Sequence, residues 1–416
     1  MTTVNESTRS AHDKFLSKRS LLDTFFSSVR DPAFAVTYWD GTRAVYGHGE
    51  PEFTIDFRKE PGLLDLLASP SLFFGESYMR GEIDIAGSFH AVARALDAAL
   101  DSGVATLKNT IMSRAVAALS STARSLAQQK KDIAAHYDLG NDFFALWLDK
   151  PTASYSCAYF RDAADDLATA QQQKLDLVLR KLHMEPGMRV LDIGCGWGGL
   201  SIRAAKDYGA RVLAVTLSEE QAAAVRQRYE EHGLTGICGV RLCNYLELDQ
   251  AEQFDRVVSV GMFEHVGKEH YGDYFGKVRS LLKTGGVSLL HTLTKNKPGE
   301  TDPWIAKHIF PGGHIPAVTE VVARLPEHDL HLLHAESLRR HYVKTLDAWY
   351  DNFSKPEVVA KVRAMFGQAF VRMWGLYLRM ASAFLAIGDL DVHQFVFSKG
   401  INDDLPMTLE HIYTVK

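Results

Sequence analysis

A glycine-rich loop carries the strongest chemical signal in this chain of 416 residues. Residues 190–199 read VLDIGCGWGG, in which an apolar strand leads into glycines that open a helix. Glycine allows the backbone to turn sharply beside a ligand, and the first turn of a helix offers N–H groups that lack helical partners. Asp192 stands two residues before the first of Gly194, Gly196 and Gly198. The pattern predicts a nucleotide-binding loop in preference to a tight turn without a ligand.

The end of the second predicted strand, which is the first strand after this loop, distinguishes two classes of nucleotide site. NAD sites favour an acidic residue at the end of that strand, about 20 residues past the loop, where it holds the ribose. Residues 214–217 read AVTL and supply no carboxylate there. An NAD-dependent dehydrogenase is therefore disfavoured. Asp192 together with the glycines resembles motif I of the class I S-adenosylmethionine (SAM) methyltransferases.

Strand and helix patterns alternate from residue 189 onward. Such alternation predicts an α/β, Rossmann-like fold with a mostly parallel sheet and helices on both of its faces. The tail adds an apolar helical region at 358–387 and a final strand at 394–398. The predicted strands of the alternating region are 189–193, 211–215, 239–242, 255–260 and 287–293.

The length of the chain allows two or three domains. Residues 1–100 are predicted to form a smaller α+β N-terminal domain. Residues 101–131, rich in Ala, Ser, Lys and Gln, are predicted to be a helical connector. Residues 132–416 are predicted to form the catalytic domain. Within the first domain, strands are predicted at 34–38 and 52–57 and helices at 63–67 and 89–100.

Composition and charge exclude several classes of function. The formal net charge of −5 gives no reason to expect nucleic acid as a partner. The four cysteines form no CxxC pair, and His328, His331 and His334 lack the spacing of a metal-binding motif, so no metal site is expected. No apolar run approaches the roughly 20 residues of a membrane-spanning helix, and the polar N-terminus does not read as a signal peptide. We expect a cytoplasmic protein.

An ordered series of motifs extends from about residue 136 to the C-terminus. The motifs are HYDLGND at 136–142, YSCAY at 155–159, TLSEEQ at 216–221, VGMFEHVG at 260–267, LHTL at 290–293, DPW at 302–304, FPG at 310–312 and TLDAWY at 345–350. In this order and spacing, they resemble the cyclopropane-fatty-acyl-phospholipid synthase family. The segment 75–79, GESYM, is similar to that of the long bacterial type, which carries an N-terminal domain.

The resemblance implies a reaction between SAM and a cis-unsaturated fatty acyl chain of a membrane phospholipid. The alkene attacks the SAM methyl group, and the resulting carbocation loses a proton from the former methyl as the cyclopropane ring closes. In the family, the base is a bound bicarbonate ion. Because an alkene is a poor nucleophile, positioning and the exclusion of water must carry much of the work.

The resemblance also assigns five residues to the bicarbonate pocket. His291 and Tyr342 can donate hydrogen bonds to an oxyanion, and Leu293 can contribute only its backbone amide. Glu264 can orient a partner or take up a proton. Cys157 is expected to line the pocket without acting as a nucleophile. Glu264 and His291 follow the fourth and fifth predicted strands, at the edge where α/β sheets bind ligands.

The same resemblance implies which residues contact SAM. The glycines approach the methionine part, and the ends of the next two strands take the ribose and the adenine. His265 is expected to point away and to be structural. The expected contacts are Tyr155, Ser156, Asp192, Gly194, Gly196, Gly198, Thr216, Leu217, Gln221, Asn244 and Tyr245.

A phospholipid substrate requires contact with a bilayer surface. We expect a peripheral association with the inner face of the cell membrane, through the first domain or through basic connector residues, and a homodimer from the resemblance alone. Two alternatives stay open: a methylene- or methyl-branched product from the same carbocation, and a non-catalytic SAM- or lipid-binding protein. The basic connector residues are Lys108, Arg114, Arg124, Lys130 and Lys131.

Overall fold

The computed structural model describes residues 18–62, 69–101 and 139–414, which form two compact units. The first unit combines the described residues up to 101 with Arg363–Ile387. The second unit combines residues 139–362 with residues 388–414. The region predicted as one catalytic domain, 132–416, is therefore interrupted by a segment that packs in the first unit. The helix predicted at 63–67 and the connector, apart from its first residue, lie outside the described residues.

Strands and helical segments alternate over residues 189–295, whereas two helices precede the strand that begins at Leu330 and three precede the strand that begins at Leu390. The strands are β1 (Phe34–Thr37), β2 (Arg43–Tyr46), β3 (Phe53–Phe57), β4 (Ile83–Gly87), β5 (Arg189–Ile193), β6 (Arg211–Thr216), β7 (Cys238–Leu242), β8 (Phe254–Val260), β9 (Leu282–Lys295), β10 (Leu330–Ser337) and β11 (Leu390–Lys399). The helices are Lys18–Ser27, Pro70–Met79, Phe89–Asp101, Asn141–Ala145, Leu167–Lys181, Gly199–Tyr208, Glu219–Glu231, Tyr271–Leu281, Pro303–His308, Val318–Glu327, Arg339–Phe353, Pro356–Phe366, Gln368–Ile387 and Glu410–Tyr413.

A four-stranded sheet in the order β2-β1-β3-β4 forms the framework of the first unit. β1 runs parallel to β3, whereas the β1–β2 and β3–β4 pairs are antiparallel. Phe53, Ile55 and Phe57 of β3 are buried in alternation with less buried residues, as expected of a sheet with one covered face. The rings of Phe34 and Phe53 stack across the parallel pair with centroids 4.9 Å apart. The first unit therefore has an aromatic core of its own.

The helix Gln368–Ile387 belongs to the first unit, where it packs against the helices Phe89–Asp101 and Pro70–Met79. Among the described residues, it is the one helix whose length and composition would suffice to cross a bilayer. The sequence had led us to expect no segment of that size. Core helices meet the same two criteria, and this helix has extensive contacts inside its own unit.

A seven-stranded sheet in the order β10-β11-β9-β8-β5-β6-β7 forms the centre of the second unit. The strands from β9 to β7 run parallel, and β11 pairs antiparallel with both β9 and β10. Side chains alternate between two cores: Val190 and Val258 belong to one, and Leu191 and Val257 belong to the other. A mostly parallel sheet with both faces covered confirms the predicted Rossmann-like α/β fold.

The strands that sequence patterns did not predict are all sheet edges. β2, β4 and β10 each end a sheet and carry many half-buried or exposed side chains, so clear apolar alternation is missing. The apolar region predicted as helical at 358–387 is two helices. Gly367 separates them with a φ of 84°, a left-handed conformation that interrupts a helix.

Candidate active site

The predicted nucleotide loop is a strand–turn–helix junction. β5 ends at Ile193, and the helix Gly199–Tyr208 begins six residues later, with Gly198 as its N-cap residue at a φ of 78°. Gly194 adopts a φ of 76°, which L side chains disfavour. A Cβ atom on Gly194 would also lie 2.9 Å from the side chain of Met262. Both the conformation and the available space therefore require glycine at position 194.

A cavity of about 130 Å³ lies beside this loop. Its lining brings together every residue predicted to contact SAM except Gly198, and their contacts with SAM stay a prediction. Gly198 instead faces the helix Glu219–Glu231, since a Cβ atom there would lie 3.2 Å from Val225. The predicted residues in the lining are Tyr155, Ser156, Asp192, Gly194, Gly196, Thr216, Leu217, Gln221, Asn244 and Tyr245.

Asp192 and Lys174 are buried charged residues that both line the cavity. Burial raises the pKa of Asp192 to about 7, in opposition to the Lys174 charge, which lowers it. Burial lowers the pKa of Lys174 to about 8, although its ammonium group donates to Ser156 at 3.0 Å and to Ser154 at 3.3 Å. Asp192 Oδ2 has no hydrogen-bond partner among the described residues. This carboxylate is therefore suited to receive a cationic group of a ligand.

Polar side chains at the ends of β6 and β7 are held in place by local hydrogen bonds. Thr216 donates from its hydroxyl to Gln221 Oε1 at 2.8 Å. Ser218 caps the helix Glu219–Glu231 by accepting from the Gln221 amide. After β7, the Asn244 side chain accepts from the Leu246 amide at 3.0 Å. The residues predicted for the ribose and adenine are thus oriented by the protein itself.

Glu264 lies in the short 3-10 turn Phe263–His265 that follows β8. Its Oε1 accepts from the Leu293 backbone amide at 2.7 Å, whereas its Oε2 is buried and has no partner in the described part of the chain. Desolvation raises the pKa of Glu264. The Leu293 amide, which we had expected to donate to a bound anion, is therefore engaged by Glu264 in this structure.

Cys157 packs with Leu338 and Val392 in a small buried cluster, and Leu293 and Tyr342 lie against that cluster. Burial raises the pKa of the Cys157 thiol. A thiol that is buried and protonated is not prepared for nucleophilic attack. Its position suits a residue that lines a pocket.

His291 is 1% exposed on β9. It shares a face of the strand with Leu293, because side chains alternate along a strand. Its Nδ1 lies 3.1 Å from Nε2 of Gln394, and its Nε2 is buried without a hydrogen-bond partner within the described ranges. Burial, together with the charges of Lys174 and Lys181, lowers the pKa of His291 to about 3. The ring is therefore neutral at physiological pH.

Leu293 is linked to the other four residues predicted for the anion pocket. Its amide binds Glu264, it packs against the Cys157 cluster as Tyr342 does, and His291 is two residues away on β9. Two short connections join this polar cluster to the cavity. Ser156 lines the cavity and directly precedes Cys157. Gly261 also lines the cavity, and its amide donates to the His291 carbonyl at 2.9 Å. A methyl donor in the cavity would therefore neighbour the buried polar atoms.

Sequence reasoning missed Gln171 and Lys174 and misplaced His265. His265 lines the cavity instead of pointing away from it. Gln171 is fully buried and donates to the Ser156 carbonyl at 2.9 Å. Gln171 and Lys174 are three residues apart on the buried face of the helix Leu167–Lys181. In the sequence, the signal for them is that two polar residues occupy a helix face whose other members are mostly apolar.

The histidines noted in the sequence do not converge. His331 and His334 lie on β10, where a β-bulge between them pairs them with Ser398 and Val396 of β11. His328 ends the preceding helix and lies against Gly276, away from that strand. Over residues 18–62, 69–101 and 139–414, no three His, Cys, Asp or Glu side chains are grouped to hold a metal ion.

Solved structures resemble the chain closely enough to define its class. The cyclopropane synthase MmaA2 of Mycobacterium tuberculosis matches with a TM-score of 0.61 and 36% identity, over 65% of this chain and 98% of that one. The mycolic acid cyclopropane synthase CmaA1, in a structure complexed with SAH and CTAB, matches with the same values. With the strand–turn–helix loop and its cavity, these matches define the protein as a class I SAM-dependent methyltransferase.

Within that class, the chain belongs to the mycolic acid cyclopropane synthetase family, whose model matches residues 124–395. This finding confirms the resemblance seen in the motifs. A probable fatty acid methyltransferase of Pseudomonas putida is 36% identical over 90% of this chain and 95% of its own length. The cyclopropane-fatty-acyl-phospholipid synthase of Escherichia coli K12 is 43% identical over 65% of this chain and 68% of its own length. A second model, for a domain of unknown function, matches residues 21–107.

Proposed function

We propose that the protein transfers the methyl carbon of SAM to the cis double bond of an unsaturated fatty acyl chain in a membrane phospholipid and closes a cyclopropane ring. Relatives named as cyclopropane synthases of phospholipid and of mycolic acid support this proposal. The observation that carries it concerns two buried polar atoms on residues next to the cavity lining, since His265 and Gly261 line the cavity and Gly261 donates to the His291 carbonyl. Glu264 Oε2 and His291 Nε2 form no hydrogen bond with any residue that the structure describes.

The first step is methyl transfer. The π electrons of the alkene form a bond to the SAM methyl carbon, while the carbon–sulfur bond breaks and its electron pair stays on sulfur. An alkene has no proton that a base could remove to activate it, so the site must align the two reactants and exclude water. The opposite charges of Lys174 and Asp192 suit the carboxylate and the ammonium of the methionine part of SAM.

The second step removes a proton from the former methyl group, and the electrons of that C–H bond close the ring. Bound bicarbonate would supply an oxyanion base for this proton. The residues fit such an anion, because His291 can donate from Nε2 and the free oxygen of Glu264 can accept from a hydroxyl group. The neutral thiol of Cys157 adds no negative charge that would repel an anion.

A branched product is the second candidate. The relative that matches 90% of the chain is a probable fatty acid methyltransferase. A tuberculostearic acid methyltransferase of Mycobacterium tuberculosis is 39% identical over 64% of the chain. The same carbocation gives a methylene branch if a hydride shifts to it from the neighbouring carbon before the methyl group loses its proton. A saturated methyl branch would require an added hydride donor.

Incubation with SAM and vesicles of a monounsaturated phospholipid tests the proposal. Mass spectrometry of the acyl chains is expected to show the gain of one CH2 group, and proton NMR is expected to show cyclopropane signals. The same mass gain with an exocyclic alkene signal would select the branched route. SAM binding without any mass gain would refute enzymatic transfer. Turnover that is equal in CO2-depleted and bicarbonate-supplemented buffer would refute the anion.

We also propose that the protein acts in the cytoplasm, as a homodimer bound peripherally to the inner face of the cell membrane. A phospholipid substrate supports the membrane contact, because its acyl chains must be reached from a bilayer surface. Flotation with anionic phospholipid vesicles is expected to carry the protein upward, and high salt is expected to weaken this association. Sedimentation of a pure monomer would contradict the dimer.

A further inference from the structure

A row of polar side chains crosses three strands beside His291. The strand register places His291 of β9 opposite Gln394 of β11, and Gln394 opposite Glu336 of β10. Lys181, at the end of the helix Leu167–Lys181, donates to Gln394 Oε1 at 2.7 Å and forms an ion pair with Glu336. Gln394 is 0% exposed and Lys181 is 2% exposed. Buried polar groups of this kind are tolerated when donors and acceptors are matched.

The chemistry of these groups permits one arrangement of protons. An ammonium group only donates, so the Gln394 atom that faces Lys181 must be the carbonyl oxygen. The amide nitrogen of Gln394 therefore faces His291, and this nitrogen also only donates. His291 Nδ1, 3.1 Å away, must then carry the lone pair. In the neutral ring, the proton is left on Nε2.

We propose that Gln394 and Lys181 are positioning residues that hold His291 as the neutral Nε2–H tautomer, so that the ring donates a hydrogen bond into the predicted anion pocket. The opposite tautomer would set one N–H group against another at Nδ1 and would direct a lone pair at an anion. Glu336 balances the charge of Lys181. The identity of the anion rests on the proposed function, whereas the tautomer rests on the polar row alone.

The arrangement prepares a donor before any anion arrives. His291 Nε2 is buried, and no described residue competes for its hydrogen. A donor that is already oriented stabilises an oxyanion without reorganisation during the reaction. Neither Lys181 nor Gln394 lines the cavity. The Glu264 carboxylate accepts from the Leu293 amide, whereas Gln394 lies beside His291, so Lys181 and Gln394 would act through His291.

Nitrogen-15 NMR of histidine-labelled protein tests the tautomer directly. The His291 signals, assigned by their loss in His291→Asn, are expected to show a protonated Nε2 and an unprotonated Nδ1. A protonated Nδ1 in the wild-type protein would overturn the proposal. This measurement needs neither lipid nor bicarbonate, so its result is independent of the proposed reaction.

The variant Gln394→Glu tests the positioning role. Its carboxylate, ionised beside the Lys181 ammonium, only accepts, so His291 is expected to gain a proton on Nδ1. The product is either the wrong neutral tautomer or an imidazolium that makes a bound anion less basic. Turnover is expected to fall by about 100-fold or more, with SAM affinity by calorimetry unchanged. An unprotonated Nδ1, or full turnover despite a protonated Nδ1, would overturn the role.

The control is Gln250→Glu, which makes the same chemical change at an exposed position. It is expected to leave both the His291 signals and turnover unchanged. The His291 signals of the wild type and of Gln394→Glu can both be as expected while wild-type turnover does not depend on bicarbonate. That outcome would support the tautomer and refute the anion of the proposed function.

Discussion

Replacement of Asp192 by Asn is expected to stabilise the SAM-free protein at neutral and alkaline pH. The side chain is 2% exposed, and its Oδ2 forms no hydrogen bond with any described residue. Burial raises its pKa from 3.8 to about 7, even though the Lys174 charge opposes the shift. Between these two values, the folded protein holds a proton that the unfolded chain has released. The free energy of unfolding of the wild type therefore falls as the pH rises through this range.

The magnitude follows from the size of the pKa difference. One pKa unit corresponds to 1.36 kcal/mol, so about 3 units correspond to about 4 kcal/mol once the folded carboxyl group is ionised. From about pH 5 up to its pKa of about 7, the folded carboxyl group keeps a proton that the unfolded chain has released. Over this interval of about 2 pH units, the stability advantage of Asn over Asp is expected to grow by about 3 kcal/mol, and it is complete by about pH 8. The pKa of about 7 for Asp192 already includes the attraction to Lys174, which protonated Asp and Asn both lack.

Urea unfolding of the wild type and Asp192→Asn, followed by tryptophan fluorescence across this pH range, measures the difference. The matched control is Asp403→Asn, which removes an exposed carboxylate and is expected to show no such growth with pH. Saturating SAM is expected to favour the wild type, because the variant lacks a carboxylate for the ammonium group of the ligand. A stability difference for Asp192→Asn that is equal at both ends of the range would refute the reasoning.

Three further perturbations address other parts of the site. Glu264→Gln keeps an oxygen that can accept from the Leu293 amide but removes the negative charge. Turnover is expected to fall by about 10²- to 10⁴-fold while SAM affinity is retained. Equal losses of turnover in steady-state kinetics and of SAM affinity in calorimetry would contradict the assignment. Gly194→Ala is expected to abolish SAM binding in calorimetry, because its φ of 76° and the Met262 side chain exclude a Cβ atom; normal affinity would remove the loop from the site. Iodoacetamide is expected to leave Cys157 unmodified in the folded protein, because the thiol is buried and its pKa is raised; rapid alkylation seen by peptide mass spectrometry would show a reactive thiol.

The cavity proposed for SAM could be predicted from the sequence because its parts are continuous or regularly placed. The loop at 190–199 is a single motif, and the other contacts follow successive parallel strands, whose carboxyl ends meet at one edge of the sheet. The orientation of His291 could not be predicted in this way. Gln394 and Lys181 approach it from another strand and from a helix, and only the register of β9 with β11 brings them together.

The fold was predictable where side-chain periodicity is strong and local. The buried strand β5 and its parallel neighbours show that periodicity, whereas the edge strand β10 does not. Periodicity also indicates that the helix Gln368–Ile387 has an apolar surface, but it contains no information about which surface covers it. This helix packs with residues almost three hundred positions earlier in the chain. A domain defined as one continuous range of residues cannot describe a segment that belongs to the other unit.

The helix Leu167–Lys181 links the two halves of the proposed chemistry. Gln171, Lys174 and Lys181 are spaced i, i+3 and i+10, which places them on one face of an α-helix, and all three are almost completely buried. Apolar residues at such positions commonly stabilise a fold at least as well as buried charges do. Fold stability alone therefore does not explain why polar side chains occupy these three buried positions. Lys174 lines the cavity proposed for SAM, whereas Lys181 donates to the Gln394 carbonyl beside His291, so a single helix would set the geometry of both the methyl donor and the proposed anion.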